Sequence, residues 1–405
     1  GSDIQPLAGF FSMVWLAANS NRVKLDHFDL WLLIFALLYT LNFDRTGGEL
    51  SSQVLRKHIN MLYVYPIYLF AKNIRYIKMD VFQIVLFLTL TVAVLQSVSP
   101  GLHGATIGQI LRFKDVEFGA SGRGLSILAP EPTDMGFTAF YYFVLVSILS
   151  LKSAGYKKYT LLKVVSVFLA LLTLSGSSIF AFFFALFASL NFTWRKALYS
   201  IMTICVVVIA LQLAMTNIPE SVPRPFVMLH TFLIDPLALV GSTSLGYRAS
   251  HFWLGLSSLV VGDFPIIGSG IGSLREQGSE LLGRSGILQF VPFTAYYHAG
   301  MISSVTGVQL SSSAGQLTLE MGLIGLLALI IIFVRLYHLG VKVDAYIGKL
   351  VVIAFALFVF QSFPLSYPPP WFVLGILANR NLRIIPPRML VKILPSQSKL
   401  VYGFR

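Results

Sequence analysis

Apolar residues in this chain come in unbroken blocks, not in alternation with polar ones. The blocks fall at roughly 5–18, 28–43, 59–71, 80–98, 133–151, 159–174, 177–190, 197–216, 313–337, 347–364 and 367–379. A helix needs about 20 apolar residues to cross the hydrocarbon core of a bilayer, and most of these blocks approach that length. Strands of a membrane barrel would alternate apolar and polar positions instead. The pattern therefore predicts an all-α polytopic membrane protein with about 11–12 transmembrane helices. The first, third and last blocks are the short ones.

Composition agrees. Of 405 residues, 56% are apolar and 12% are charged, against about 25% charged in a typical soluble domain. So little charge cannot cover a soluble surface of this size, which excludes a cytosolic enzyme, a disordered chain and a collagen-like fibre. The net charge of +13 would suggest nucleic acid in a soluble protein. On a membrane chain its first explanation is topology, because cytoplasmic loops collect Lys and Arg. No nucleic-acid partner is expected. The single cysteine, Cys205, lies inside an apolar block and reads as a small buried or lipid-facing residue. No Cys/His cluster has the spacing of a metal site.

The basic residues orient the spans. Arg22 and Lys24, the Lys72–Lys78 group, the Lys152–Lys158 group, Arg195 and Lys196, and Arg335, Lys342 and Lys349 occupy alternate connections. With Lys163 and the basic tail from Arg380 to Arg405, this side holds 20 of the 30 basic residues. By the positive-inside rule it is the cytoplasm. Eleven spans then put the N-terminus outside. The leading Gly1-Ser2 resembles a cloning remnant, so a preceding helix is expected. The organisation reads as N-terminal transmembrane helices (1–98), an extracytoplasmic loop (99–132), central helices (133–216), a large extracytoplasmic loop (217–312), C-terminal helices (313–379) and a cytoplasmic tail (380–405).

The cytoplasmic loops are too short for a nucleotide-binding domain, and neither a Walker A motif nor a Rossmann fingerprint occurs. GSGIGS at Gly268–Ser273 lacks a βαβ context and reads as a turn. Chemistry is therefore expected on the outer side, without nucleotide. Eight of the ten outer basic residues are Arg, the better bidentate binder of phosphate.

Five constellations stand out. In Ser121–Gly136, Pro132, Thr133 and Asp134 suit a helix start. Glu131 sits between two prolines at the mouth of the span, where it can act as a general base or pair with Arg123. In Leu174–Ala181, the small residues Ser175, Ser177 and Ser178 suit close helix packing or contact with a sugar. Gly246–Val261 has apolar residues at helical spacing and reads as an amphipathic helix on the outer surface, with Tyr247 nearby and Arg248 at headgroup depth. In Phe293–Met301, Tyr296, Tyr297 and His298 are groups that stack on or hydrogen-bond a sugar. In Ser313–Leu327, Glu320 lies about two turns into a span, where an ionisable residue marks either function or an ion pair with Arg.

In this order the pieces resemble the O-antigen polymerase and ligase superfamily. The carrying features are the SG-SS turn before an apolar span, then one large outer loop beginning YR-x-x-x-x-W and continuing to PIIGSGIGS at 265–273, then a helix reading GQLTLEMGLIGLL. The resemblance covers roughly 120–335. EPTDMGF resembles the Wzy-type polymerases more than the ligases. Ser177-Ser178 stands where many members carry Ser-Arg, and Ser313 stands near the ligase histidine.

The resemblance implies a GT-C-like fold in the bacterial inner membrane with its active site facing the periplasm. It implies a glycosyltransferase that joins polyprenyl-diphosphate-linked oligosaccharide repeats into O-antigen or exopolysaccharide. Arg123, Arg248 and Arg275 would bind the diphosphate, with Ser177, Ser178, Tyr247 and Tyr297 against diphosphate or sugar. Glu131 would serve as base, with His298 second. No cofactor or metal is expected, since arginines can take the metal's place. Membrane lipid, a chain-length regulator and a flippase are the implied partners. Two other readings stay open: a ligase that transfers polymer to lipid A-core, and a lipid-linked sugar transporter.

Overall fold

The computed structural model describes residues 5–45, 52–108, 125, 127, 132–153, 159–173, 175–189, 231, 235, 241, 244–305, 310–361 and 365–385. It is mostly helical. In chain order the helices are α1 (Gln5–Ala18), α2 (His27–Thr40), α3 (Ser52–Leu62), α4 (Val64–Asn73), α5 (Met79–Val98), α6 (Pro100–His103), α7 (Pro132–Lys152), α8 (Thr160–Leu172), α9 (Gly176–Ser189), α10 (Ser244–Val261), α11 (Leu274–Arg284), α12 (Ile287–Phe290), α13 (Ala295–Ser304), α14 (Ser313–Val341), α15 (Ala345–Phe360) and α16 (Pro368–Ala378). Two three-residue strands, β1 (Tyr76–Lys78) and β2 (Arg383–Ile385), pair in parallel, with Ile77 opposite Ile384.

Among the described residues, three helices are long and apolar enough to cross a membrane: α5, α7 from Thr133 and α14. Five further apolar helices are shorter, between 10 and 17 residues. The block at 59–71 divides between α3 and α4. The block at 197–216 lies outside the described residues.

The chain forms two compact units, residues 1–72 with 183–378 and residues 73–182 with 379–405. In the first unit, α2 starts on a capping box. Asp26 Oδ1 accepts from the Phe28 and Asp29 amides at 3.0 and 3.1 Å, and the Asp26 amide donates to Asp29 Oδ2. This satisfies donors that the first helical turn leaves open. Asp29 is fully buried. It accepts from Tyr68 Oη at 2.8 Å and Lys72 Nζ at 2.5 Å, so its charge is paired where solvent cannot reach it. Lys72 also lies 2.9 Å from Asp26, which Arg335 Nη2 approaches at 3.5 Å. Two of the basic residues assigned to the cytoplasmic side thus meet around one carboxylate.

The opposite end of α2 also meets α14, so the two helices run antiparallel. There Tyr39 Oη donates to Glu320 Oε2. Every α14 residue from Ser313 to Gly322 is buried, while Leu323, Leu327, Ile330, Ile331 and Val334 are exposed. The outward apolar face of α14 therefore begins after Gly322. α14 is capped by Ser312, whose Oγ accepts from the Gly315 amide, and it is fastened to the end of α15 by the Ser313 amide on the Gln361 carbonyl.

In the second unit, α7 and α8 pack together and α9 begins beside them. A Cβ at Gly136 would lie 2.6 Å from Ser178 Oγ, so glycine there permits the contact. Lys152 Nζ donates to the Asn379 carbonyl at 2.9 Å, which brings together two positions of the predicted cytoplasmic side.

Candidate functional site

Within the predicted outer loop, the described residues 244–305 are largely helical. Helices α10 to α13 enclose an apolar core of Leu254, Leu274, Leu281, Leu282, Ile287, Met301, Val305 and Leu310, closed by Leu319 of α14. Burial of such side chains contributes about 1.5–3 kcal/mol each, and it draws these helices together as a module within the first unit. It is mounted on the buried first turns of α14 through paired glycines. A Cβ at Gly255 would lie 2.2 Å from the Gly315 carbonyl oxygen, and one at Gly315 would lie 2.4 Å from that of His251.

α10 buries polar residues beside the apolar Leu254. Ser250, His251 and Ser258 are buried, while Trp253 and Val260 are exposed. His251 is the hub. Its Nδ1 accepts from the Ser311 amide at 2.7 Å. A backbone N–H can only donate, so Nδ1 carries the lone pair and Nε2 carries the hydrogen. Nε2 then donates to Ser304 Oγ at 2.8 Å, and Ser304 Oγ donates to the Met301 carbonyl at 2.7 Å. Burial pushes the imidazole pKa down to about 3, so the ring is neutral at physiological pH. Tyr247 stacks obliquely on His251 at 4.3 Å and donates to the Gly300 carbonyl at 2.9 Å. Burial raises the Tyr247 pKa. These bonds join α10 to α13 and to the segment leading into α14.

A second polar cluster lies where α14 breaks. Gly322 has φ 59° and ψ −143°, outside the helical range. The amides freed there are taken up by the loop from α10, with Leu323 donating to Pro265 at 2.9 Å and Ile324 to Ile266 at 3.2 Å. Gly268, Gly270 and Gly272 all have positive φ, so the GSGIGS segment is a turn, as its sequence predicts. The approach is too close for side chains: a Cβ at Gly268 would lie 2.2 Å from the Glu320 carbonyl oxygen. The Glu320 carboxylate accepts from Tyr39 Oη and Gln316 Nε2, each at 2.5 Å. Its carbonyl accepts from Asn42 Nδ2 and from the Gly270 amide. Glu320 thus has hydroxyl and amide partners, where the sequence left an arginine partner open.

The sequence-predicted residues are distributed as follows. Arg248 is half-buried on α10, about two turns before the buried pair Leu254 and Gly255, and Tyr247 is its half-buried neighbour. Arg275 is exposed on α11 and His298 is exposed on α13. All four belong to the folded module. Ser178 is buried, donates to the Ser175 carbonyl at 2.9 Å and packs on Gly136, so it serves helix packing. Glu131 and Arg123 lie outside the described residues, as do the side chains of Ser177 and Tyr297. Sequence reasoning missed Tyr39, Asn42 and Gln316. The available signal was Gln316 one helical turn before Glu320 in an apolar run, since i and i+4 share a face.

No protein-family model matches the chain, and no curated protein matches it.

Proposed function

We propose that the chain is a multi-pass bacterial inner-membrane glycosyltransferase, a Wzy-type polymerase of polyprenyl-diphosphate-linked oligosaccharide repeats. One observation carries this reading. The outer loop is a folded module seated on the apolar helix α14, and it holds Arg248, Arg275 and His298 at the end of α14 away from Lys72 and Arg335. A lipid-diphosphate donor needs cationic groups at that level, beside the apolar helices that meet its tail.

The transfer itself is simple. A hydroxyl of the acceptor repeat attacks the anomeric carbon of the growing chain. The new C–O bond forms as the bond to the diphosphate breaks, and the electron pair departs with the polyprenyl diphosphate. Arg248, aided by Arg123 and Arg275, stabilises the charge that develops there. Glu131 takes the acceptor proton, with His298 as the second choice. Ser177, Tyr247 and Tyr297 contribute to the substrate surface. Membrane lipid, a chain-length regulator and a flippase remain the proposed partners.

A transporter draws support from the break at Gly322, because transporters use broken helices at their binding sites. Here the carbonyls of Pro265 and Ile266 fill the break, which favours a static joint. A ligase shares the chemistry and differs in product. Cells lacking this protein therefore test the reading. Single repeats left on the carrier support a polymerase, and full-length polymer left on the carrier supports a ligase.

A further inference from the structure

The turn after α10 carries apolar side chains that the glycosyltransferase reading does not use. Asp263-Phe264-Pro265-Ile266-Ile267 leads from α10 into the GSGIGS segment. Ile266 is 63% exposed and Ile267 is 42% exposed. Such residues at the tip of an outer loop would face water if the loop stood clear of the bilayer.

The backbone sets where this turn lies. Its Pro265 and Ile266 carbonyls accept from Leu323 and Ile324. Those are the first residues of the exposed apolar face of α14, which continues through Leu327, Ile330 and Val334. The turn is therefore continuous with the face of a helix long and apolar enough to cross a membrane. The hydrogen bonds matter as much as the side chains. Backbone carbonyls enter lipid only when protein groups satisfy them, and these two are satisfied. Pro265 brings no N–H of its own.

Polar groups flank the tip on both sides. Arg45 Nη1 donates to the Gly268 carbonyl at 2.8 Å, and Arg45 is exposed. At the other flank, Arg284 Nη1 lies 3.6 Å from Asp263. An apolar tip with a charged rim is the pattern of a segment seated at the interface between headgroups and acyl chains.

We infer that Ile266 and Ile267 form a lipid-contact surface, inserted among acyl chains beside Leu323 and Ile324, with Arg45 at the level of the headgroup phosphates. This rests on the membrane part of the proposed function. The insertion fixes the height of the module above the bilayer, and so the height at which Arg248 meets a lipid-linked diphosphate.

The test is site-directed fluorescence on the full-length protein in phosphatidylcholine vesicles. The native cysteine is replaced by Cys205→Ser, and bimane is attached at Ile266→Cys or Ile267→Cys. Leu327→Cys is the lipid reference and Glu276→Cys, exposed on α11, is the water reference. The expected result is a blue-shifted emission at Ile266 and Ile267, quenched by doxyl-labelled phospholipid as at Leu327. Emission like that of Glu276, quenched by aqueous iodide, overturns the inference while leaving the membrane reading intact. A blue shift without doxyl quenching means that protein, such as a second copy, covers the turn, and also overturns it. Water-like signals at Leu327 as well overturn the membrane reading together with the inference.

Discussion

Tyr39 donates its hydroxyl to Glu320 at 2.5 Å, joining the end of α2 to the last turn of α14 before its break. Both side chains are buried. The bond ties the C-terminal end of α2 to the N-terminal part of α14, and it holds the carboxylate of the residue whose backbone carbonyl receives Asn42 and Gly270. The mounting of the outer module therefore depends on this cluster. Leaving a buried polar group without its partner costs about 1–3 kcal/mol, whereas removing both partners costs less. Tyr39→Phe should lower the unfolding temperature in detergent. Adding Glu320→Leu to it should cost less than the sum of the two single changes. Additive losses in that double-mutant cycle would show that the bond carries no coupling.

Gly322 should be irreplaceable for a local reason. Its φ of 59° and ψ of −143° suit glycine alone, at about 1–3 kcal/mol for another residue. A Cβ would also lie 2.5 Å from the Pro265 carbonyl oxygen. Gly322→Ala should reduce the monodisperse fraction on size-exclusion chromatography. Gly283→Ala, in the exposed part of α11 with nothing within 4 Å, should be neutral or stabilising by about 0.5–1 kcal/mol. Equal behaviour of the two variants would contradict the break.

Stability should fall in acid through His251. Its folded pKa is about 3, below the ordinary value of 6.5. Between those values the unfolded chain binds a proton that the folded chain refuses. The His251 contribution is therefore complete above pH 6.5 and is lost progressively as pH falls toward 3. Protonation would also remove the Nδ1 lone pair that receives the Ser311 amide. His251→Gln should flatten the pH dependence of unfolding across this window. An unchanged slope would mean that His251 is not the group concerned.

The two ends of α2 and α14 should face opposite compartments. A membrane-impermeant thiol reagent applied to intact cells should label Ser285→Cys in the outer module and spare Lys342→Cys. Both variants would carry Cys205→Ser. The reverse pattern would invert the orientation and put Arg248 in the cytoplasm.

Much of the helical framework was legible in the sequence. The blocks at 80–98 and 133–151 match α5 and α7 within a residue or two, because an apolar run bounded by Pro or charged residues has little else to become. The start of α14 at Ser313 was legible too. Its break was not. Residues 313–337 read as one apolar run, and the groups that fill the break, Pro265 and Ile266, come from a distant stretch. The role of α10 was hidden for a related reason. Its polar residues look solvent-facing by periodicity, yet Ser304 and Ser311 reach His251 from other segments and bury it. The pairing of Glu320 was open in the sequence, which left function and an ion pair with arginine equally open and gave no sign of the Tyr39 hydroxyl.

The proposed polymerase depends on Arg248 to bind the lipid diphosphate. Purified protein would be mixed with a polyprenyl-diphosphate-linked oligosaccharide repeat, without nucleotide or metal, and the products separated as a ladder on a gel. A ladder is expected from the wild-type protein and single repeats from Arg248→Ala, with both proteins equally monodisperse in detergent. A ladder of normal length from Arg248→Ala would contradict the role given to this arginine. No ladder from the wild-type protein with its native repeat supplied would contradict the polymerase.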